Sequence, residues 1–563
     1  MIRPTCLFAT TALTLLLGGC AGAPRSAAPA GLAVAVPAVA HPQGETPQWW
    51  YRSGAAQAAA NGAMQGKARN VILFLGDGMS LTTVAAARIF EGQRNGGAGE
   101  ENLLSWERFP ATAFSKTYNV DSQTPDSAGT MTAITTGVKT HMGAIGVSAG
   151  RRADCADSLD KGLLTWLQLA DSAGLATGIV STARLTHATP AATYARSPER
   201  NWENDTDMPA AARAAGCRDI AQQLLSTSRY GRGPLVALGG GRAQFTTADE
   251  RDPEYDDKVG QRLDGRRLVD EWQQAHPGGA YVWNAAQLKA AAGAPALLGL
   301  FEPDHMQYEH DRPQDRGGEP SLAELTRTAI GNLSRHKEGY VLMIEGARID
   351  HANHSGNAYR ALTDTVALSN AVRVATEMTA EDDTLIIVTA DHSHTLNFVG
   401  YPARGNPILG KVKDTGGEDG SGALDLARDG TGQPYTTLSY ANGPGHTGAS
   451  NQQPAGPKRY PHAPSRFEPA VGRPDLAGVD TEHPDYLQEA LVPSRSESHG
   501  GEDVGIWARG PGSAAIRGTL EQHAIYHMIV QATPRLRERL CSAGTCDGNG
   551  VPVQLPTAKV FER

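Results

Sequence analysis

Three short apolar runs constrain the fold of this chain more than any other feature of its sequence. They occupy residues 71–75, 340–344 and 384–388, and all are rich in Val, Ile or Leu. Runs of this kind, too short for helices, are typical of strands buried on both faces, as in the parallel sheets of α/β proteins. Strand-like and helix-like stretches alternate between residues 70 and 393, which predicts a single α/β domain around one large sheet.

Each of the three runs ends in side chains that bind metal ions. Asp77 follows the first run between two glycines, Glu345 follows the second, and Asp391 and His392 follow the third. Because ligands bind at the carboxyl ends of strands in α/β proteins, we expect these groups to converge on one site. Grouped carboxylates repel one another unless a cation or a substrate holds them. Taken alone, Gly-Asp-Gly is also typical of a tight turn, and Asp-His of a solvated surface pair.

Two further patterns add to this site. Asp350 and His354 are four residues apart just after the second run, a spacing that places both side chains on one face of a helical turn. Carboxylates combined with imidazole suit zinc or a similar cation. Ser127 follows Asp126 at the start of a predicted helix of small residues, where the helix N-terminus favours an anion. Taken alone, Asp126 or Ser127 is better explained as a helix cap, and the metal-binding residues nearby are what favour a functional serine.

Composition excludes some classes of protein. The chain has 563 residues, 51 basic against 60 acidic side chains and a net charge of -9, without a dense Lys/Arg cluster, so nucleic acid is not an expected partner. After the N-terminus no run of about 20 apolar residues is long enough to span a membrane. Residues 395–498 shift toward Gly, Pro, Asp and Arg with little periodicity, which predicts a surface insertion.

The N-terminus has the pattern of an export signal. Arg3 precedes an apolar stretch, and Leu-Gly-Gly-Cys at residues 17–20 resembles a bacterial lipobox. We therefore predict a lipoprotein signal peptide over residues 1–19 and lipidation of Cys20, the alternative being ordinary cleavage nearby. Residues 20–66, rich in Ala, Pro and Gly, are predicted to form a flexible tether. The expected location is the bacterial periplasm or cell envelope, with a lipid anchor as the only membrane contact.

Four cysteines remain after the signal peptide and the lipidated residue: Cys155, Cys217, Cys541 and Cys546. Four cysteines allow three pairings, and an even number fits an oxidising compartment. Cys541 and Cys546 are close enough for a small loop, which leaves Cys155 with Cys217, so we predict two disulfides. The alternative is buried free thiols.

Seven ordered motifs together resemble the alkaline phosphatase family, and its animal-type branch in particular. They are GDGM at 76–79, DSA at 126–128, LTHATPA at 185–191, RNW at 200–202, EGARIDH at 345–351, TADHSH at 389–394 and ESHGGED at 497–503. The resemblance implies a three-layer sandwich with a large, mostly parallel central sheet. The catalytic domain would span residues 67–547, with 395–498 as a crown-like surface insertion and 548–563 as a C-terminal tail.

The same resemblance implies two Zn²⁺ ions and one Mg²⁺ ion per subunit around the nucleophile Ser127. One zinc would bind Asp350, His354 and His499. The second zinc would bind Asp77, Asp391 and His392 and face Ser127. Magnesium would bind Asp77, Thr189 and Glu345, where Thr189 stands in place of the family's usual serine. The activity implied is hydrolysis of many phosphate monoesters through a phosphoserine intermediate, releasing inorganic phosphate.

Several other residues take roles from the resemblance. Arg200 would clamp the phosphate, and His187 would lie just outside the magnesium ligands. His446 competes with His499 as the third ligand of the first zinc, and the context of residues 497–503 favours His499. His351 and His394 lie beside ligands in the sequence, and we expect them to be supporting or water-contacting groups rather than ligands, the alternative being an ordinary surface role.

The resemblance also implies a calcium site, cysteine pairs and an oligomer. The Ca²⁺ ligands would come from Glu254, Phe301, Glu302 and Glu319. Both predicted disulfides fall where the family carries them. Tyr401 matches a residue that reaches into the neighbouring subunit in the family, which implies a homodimer.

Two other functions remain open from sequence. A phosphodiesterase or sulfatase would share the metal-bearing strands, but Arg200, Glu345 and the magnesium set favour monoesters. A noncatalytic phosphate-binding lipoprotein would bind phosphate without turnover, and the complete set of nucleophile and ligands argues against it.

Overall fold

The computed structural model describes residues 30–40, 42–414 and 425–563. The predicted signal peptide over residues 1–19, Cys20 and the first part of the predicted tether lie outside the described residues. In the part that is described, no helix combines the length and apolar character needed to cross a membrane.

Within the described residues, ten strands form one large sheet, and seven further strands form small sheets around it. In chain order the strands are β1 (Asn70–Gly76), β2 (Ala111–Lys116), β3 (Ala176–Arg184), β4 (Val236–Gly240), β5 (Ala280–Val282), β6 (Leu297–Leu300), β7 (Tyr340–Gly346), β8 (Thr384–Ala390), β9 (Ser393–His394), β10 (Leu396–Phe398), β11 (Leu438–Gly443), β12 (Lys458–Arg459), β13 (Tyr486–Leu487), β14 (Ala490–Pro493), β15 (His499–Gly500), β16 (Val504–Arg509) and β17 (Gly518–Glu521).

The large sheet has the strand order β17-β2-β16-β8-β1-β7-β3-β4-β6-β5. Only β16 runs antiparallel to its neighbours, β8 and β2, and all other pairs are parallel. Every residue of β1, β7 and β8 is buried, as the apolar runs predict for strands covered on both faces. The mostly parallel α/β fold predicted from the sequence is confirmed.

The α-helices of the described residues are α1 (Pro47–Ala60), α2 (Leu81–Arg94), α3 (Ser127–Thr136), α4 (Cys155–Ser158), α5 (Trp166–Ser172), α6 (Ala188–Ala191), α7 (Ala210–Ala214), α8 (Ile220–Leu225), α9 (Arg242–Phe245), α10 (Leu268–Ala275), α11 (Ala285–Ala290), α12 (Leu322–Leu333), α13 (Arg348–His354), α14 (Ala358–Met378), α15 (Ala524–Ala532) and α16 (Pro534–Ser542). Two groups of them cover the large sheet. Helices α2, α12 and α14 pack together, and α1, α3, α5, α15 and α16 form the other group. Helices and sheet together make three layers around one extended apolar core.

The predicted insertion forms small sheets of its own. Strands β10, β11 and β14 make one sheet and β12 and β13 another. The chain enters the insertion after β9 and leaves it before β15, and these two strands pair antiparallel, with His394 opposite His499. Both ends of the insertion therefore meet at one place beside the large sheet.

The tether prediction is wrong for its second half. Helix α1 occupies Pro47–Ala60, begins with a hydrogen bond from the Trp49 amide to the Thr46 side chain, and buries Trp50 and Tyr51 against α15. Ala and Gly suggested flexibility, but here they let the helix pack closely. The last residues of the chain also pack against the domain, since Val551 and Val553 form a buried cluster with α1.

Both predicted disulfides are present. Cys155 pairs with Cys217, and Cys541 pairs with Cys546. The first joins α4 to the segment after α7, and the second closes the turn after α16.

Candidate active site

Three neighbouring strands of the large sheet bring the predicted site together. Gly76 at the end of β1 is in register with Gly346 in β7 and with Ala390 in β8. Asp77 and Asp391 therefore follow strands that end level with one another, and Glu345 lies one residue before the end of β7. The strand ends converge as the sequence predicts.

Gly78 shows how tightly this edge of the sheet is packed. Its backbone has a φ of 65°, and a Cβ at this position would lie 2.3 Å from the His394 ring. Its amide donates a hydrogen bond to Oδ1 of Asp391 at 3.1 Å. Only glycine combines this backbone conformation with the close approach of the ring, so the glycine after Asp77 is required for the site.

Ser127 is the first residue of α3 and lies at the centre of the buried groups. Its Oγ is 3.0 Å from Nε2 of His392 and 3.5 Å from Oδ1 of Asp77. Asp126 caps the helix by accepting a hydrogen bond from the Gly129 amide at 3.1 Å. Because Asp126 supplies the cap, the Ser127 hydroxyl does not have to, and it faces the buried groups at the positive end of the helix, where negative charge on oxygen is favoured.

Three imidazoles present the same ring nitrogen to the site. Nδ1 of His354 donates to the Glu497 carbonyl at 2.5 Å, Nδ1 of His499 to the Pro125 carbonyl at 2.7 Å, and Nδ1 of His392 to a neighbouring carbonyl. A carbonyl oxygen only accepts, so Nδ1 carries the proton and Nε2 has a free lone pair. Nε2 of His354 and Nε2 of His499 lie 3.1 Å apart. Lone pairs that face each other at this distance fit a shared cation.

His394 differs from the other imidazoles. Its Nδ1 donates to the Glu497 carboxylate, and its Nε2 donates to Oδ1 of Asp350 at 2.7 Å. Burial disfavours its charged form, but the two carboxylates outweigh burial and raise the pKa of His394 to about 10. Both ring nitrogens of His394 are thus hydrogen-bonded to carboxylates, and its supporting role stays a prediction.

The buried carboxylates fall into two electrostatic types. Burial raises the pKa of Asp77 well above its usual range, and the neighbouring Asp391 and Asp350 raise it further. Burial likewise raises the pKa of Glu345 to about 8 and that of Asp391. Burial also opposes the charge of Asp350, but His354 and the other imidazoles around it outweigh burial and hold its pKa well below normal. At Asp77, Glu345 and Asp391 burial therefore outweighs the groups that favour the charged form.

Glu345 has one carboxylate oxygen that is suited to bind a cation. Its Oε2 accepts a hydrogen bond from Ser181 at 2.5 Å, whereas its buried Oε1 has no hydrogen-bond partner among the described residues. The Thr189 hydroxyl lies 3.4 Å from Oδ2 of Asp77, and both residues are fully buried. Two carboxylates and a hydroxyl are the oxygen donors that magnesium prefers. We refer to Asp77, Ser127, Thr189, Glu345, Asp350, His354, Asp391, His392 and His499 as the active-site cluster.

Arg200 lies at the edge of the cluster. Its Nη1 donates to Oδ2 of Asp126 at 3.1 Å, and its Nη2 donates to Nε2 of His187 at 3.2 Å. About a fifth of the arginine side chain is exposed, so the guanidinium remains accessible. Burial and the charge of Arg200 keep the pKa of His187 well below its usual value. His187 is thus a neutral acceptor that orients Arg200.

His305 is a neighbour that sequence reasoning missed. Its ring lies 5.1 Å from that of His187 and 4.2 Å from that of His351, and its Nε2 contacts Nη1 of Arg184 at 2.7 Å. No spacing in the sequence links these histidines, since they come from three separate segments. The rival ligand His446 lies elsewhere, packed against Phe467 in the insertion, while His499 joins Asp350 and His354.

A second group of acids, distant in the sequence, forms what we call the acidic cluster: Glu254, Glu302, Asp315 and Glu319. Glu254, Glu302 and Asp315 have carboxylate oxygens within 4.8 Å of one another. Burial raises the pKa of Glu302 to about 7 and that of Glu319 to about 9. Both buried oxygens of Asp315 lack a hydrogen-bond partner among the described residues. Asp315 was missed because an acid in an irregular loop has no periodic signal.

Comparison with known proteins agrees with this geometry. The family model of alkaline phosphatase matches residues 68–534. The tissue-nonspecific isozyme of alkaline phosphatase from Gallus gallus is 41% identical over 477 residues, which cover 83% of this chain and 85% of that protein. The isozyme of the same name from Rattus norvegicus is 40% identical over 475 residues, covering 83% of this chain and 84% of that one.

Solved structures share the fold. Alkaline phosphatase from Thermus thermophilus superposes with a TM-score of 0.57 at 24% identity, covering 85% of this chain and 96% of the other. Alkaline phosphatase from the Antarctic bacterium TAB5 gives a TM-score of 0.54 at 19% identity, covering 84% and 99%.

Fold and site together define a hydrolase that binds metal ions and has a mostly parallel α/β fold. The chain belongs to the alkaline phosphatase family, a metal-dependent family, and it is an enzyme that hydrolyses phosphate monoesters.

Proposed function

We propose that the protein hydrolyses monoesters through a phosphoserine intermediate on Ser127. The observation that carries this proposal is the position of the Ser127 hydroxyl, at the start of α3 and within hydrogen-bond distance of His392. The serine oxygen attacks phosphorus and the alcohol leaves. Water then hydrolyses the phosphoserine and releases inorganic phosphate.

The active-site cluster fits two Zn²⁺ ions and one Mg²⁺ ion. Asp350, His354 and His499 would hold one zinc, since their free Nε2 and carboxylate atoms face one another. Asp77, Asp391 and His392 would hold the second zinc beside Ser127. Asp77, Thr189 and Glu345 would hold magnesium, which explains the unpaired Oε1 of Glu345. When bound, the ions supply positive charge that favours the ionised serine and the phosphate oxygens.

Arg200 would bind two nonbridging oxygens of the phosphoryl group. Its guanidinium is held from one side by Asp126 and from the other by His187, so it is oriented before substrate arrives. Charge that develops on those oxygens is then stabilised by a fixed donor. Because recognition is confined to the phosphoryl group, we expect a broad range of monoesters.

The acidic cluster would hold Ca²⁺. Glu254, Glu302 and Glu319 supply oxygens as expected from the sequence, Phe301 immediately precedes Glu302, and Asp315 adds another carboxylate. Arg242 neutralises part of this charge by pairing with Glu254 at 3.0 Å. A hard cation with several oxygen ligands would balance the remainder.

Export, a lipid anchor and a homodimer complete the proposal. The lipobox-like residues 17–20 support lipidation of Cys20 and a location in the bacterial periplasm or cell envelope. The Cys155–Cys217 disulfide is consistent with an oxidising compartment. Tyr401 supports a dimer, because this large side chain is 87% exposed on the insertion.

The test is turnover of a phosphate monoester and a phosphate diester by purified protein, combined with metal analysis. We expect two zinc and one magnesium per chain and a strong preference for the monoester. A preference for the diester, or phosphate binding without turnover, would contradict the proposal.

A further inference from the structure

Glu497 is a buried carboxylate next to the active-site cluster with no role in the proposed chemistry. It is 1% exposed and lies at the end of the insertion. Its Oε1 accepts hydrogen bonds from the amide of Thr395 at 2.7 Å and from the Thr395 hydroxyl at 2.6 Å. Its Oε2 accepts a hydrogen bond from Nδ1 of His394. Three donors therefore converge on one carboxylate.

Two routes lead from Glu497 to the ligands of one metal position. Through its side chain it holds His394, whose other nitrogen donates to Oδ1 of Asp350 at 2.7 Å. Through its backbone carbonyl it accepts a hydrogen bond from Nδ1 of His354 at 2.5 Å, which leaves Nε2 of that ring free. One residue thus fixes the orientation of a carboxylate ligand and the tautomer of an imidazole ligand.

Glu497 also closes the base of the insertion. Thr395 is the first residue of the insertion, and Glu497 lies two residues before His499 in β15. The pairing of His499 with His394 continues this closure as an antiparallel ladder. His499, the third ligand of the same metal position, therefore lies in β15, the strand that Glu497 holds in place.

We propose that Glu497 is a positioning residue that holds Asp350, His354 and His499 in place for one zinc ion and couples this position to the base of the insertion. The inference rests on the proposed zinc site. A carboxylate is required because its two oxygens accept from all three donors, whereas an amide offers one acceptor atom and places an N–H against a donor.

The test is Glu497→Gln in the full-length metal-loaded protein, with release of zinc to a colorimetric chelator followed over time. We expect one zinc to dissociate about 10- to 100-fold faster than in the wild type, while the other zinc and the magnesium keep their rates. Glu381→Gln, an exposed position remote from the site, is the matched control and should release all ions at the wild-type rate.

A milder variant guards against misfolding. Thr395→Val removes one donor to Glu497 and keeps the side-chain volume, so we expect a smaller acceleration of the same zinc. Limited proteolysis of metal-free and zinc-loaded protein should show that zinc protects residues 395–498 in the wild type and less so in Glu497→Gln. Zinc release from both variants at the rate of Glu381→Gln would overturn the inference. A wild type that holds no zinc would instead overturn the proposed function.

Discussion

The active-site cluster and the acidic cluster both concentrate buried carboxylates, but they differ in what surrounds the acids. In the active-site cluster three of the four acids lie at the ends of adjoining strands, and the acids are grouped with imidazoles and the Ser127 hydroxyl. In the acidic cluster they lie mainly on loops, and the neighbours are Arg242, Tyr255 and Gln307 rather than imidazoles. Nitrogen donors and a nucleophile suit zinc and catalysis, whereas oxygen donors alone suit a structural cation. The chemistry of the neighbours, more than the number of acids, separates a catalytic site from a structural one.

The largest expected effect is the loss of turnover in Ser127→Ala. This variant distinguishes the proposed nucleophile from the proposed metal ligands. Ser127→Ala should lower kcat by a factor on the order of 10⁴ or more, because it removes the attacking oxygen. Metal content measured by mass spectrometry should remain close to that of the wild type. Phosphoenzyme trapped by acid quench should disappear, and persistence of phosphoenzyme on the variant would show that another residue is the nucleophile.

Arg200→Ala should have the next largest effect. Loss of a preorganised donor to charged oxygens costs about 10²- to 10³-fold in kcat. Steady-state kinetics with a monoester would measure this loss, and weaker inhibition by inorganic phosphate should accompany it. Arg404→Ala, at an exposed arginine of the insertion, serves as control. Equal kcat values for Arg200→Ala and Arg404→Ala would show that Arg200 does not bind the phosphoryl group.

The acidic cluster should affect stability rather than chemistry. Calcium at 100 times its Kd should stabilise the wild type by about 2.7 kcal/mol. Asp315→Asn should lose most of this stabilisation, because a neutral amide with one oxygen replaces the carboxylate. Thermal unfolding with and without calcium measures the effect, and kcat at 25 °C should change little. If kcat fell as far as in Arg200→Ala, the distinction between the two clusters would be wrong.

The smallest expected effect concerns an ion pair that binds no metal. Its effect on the free energy of unfolding is a reference against which both clusters can be compared. Lys139 is 1% exposed and pairs with Glu521 at 3.1 Å. Burial opposes the charge of Glu521, but Lys139 and Lys116 outweigh burial and lower its pKa to about 2. Glu521→Gln should cost about 1–3 kcal/mol near neutral pH, because the buried ammonium of Lys139 loses its carboxylate partner and keeps its hydrogen bond to the Tyr118 carbonyl.

The pH dependence of that effect follows from the direction of the pKa shift. The folded-state pKa of Glu521 lies below its ordinary value of 4.5, so its stabilising contribution is present above that pH and is lost as the pH falls toward 2. The free energies of unfolding of metal-free wild type and Glu521→Gln should therefore converge in acid. A gap that stayed constant below pH 4.5 would show that the charge of Glu521 is not the cause.

Sequence alone predicted the central sheet and named most of the residues that the structure brings together in the active-site cluster. Buried parallel strands leave a strong signal in the sequence, because each appears as a short apolar run. Asp77 and Asp391 follow two such runs, which marks them as residues at strand ends. The spacing of Asp350 and His354 also reflects one local helix, α13. These features depend on residues close together in the sequence.

The features that sequence reasoning missed depend on contacts between distant segments. Helix α1 is stabilised by packing against α15 near the other end of the chain, so its small residues suggested a flexible tether. His305, Asp315 and Glu497 lie in irregular segments, and their partners are fixed only when the fold is complete. No periodicity marks such residues.

The two-residue ladder of β9 and β15 has a consequence for how this enzyme can diversify. Because the segment between Thr395 and Glu497 leaves the domain and returns to it beside this one short ladder, its length and sequence can change without shifting any strand of the large sheet. Evolution can therefore remodel the outer surface as a separate module while the chemistry stays constant. The ladder of β9 and β15 is also the natural junction for exchanging this module between relatives.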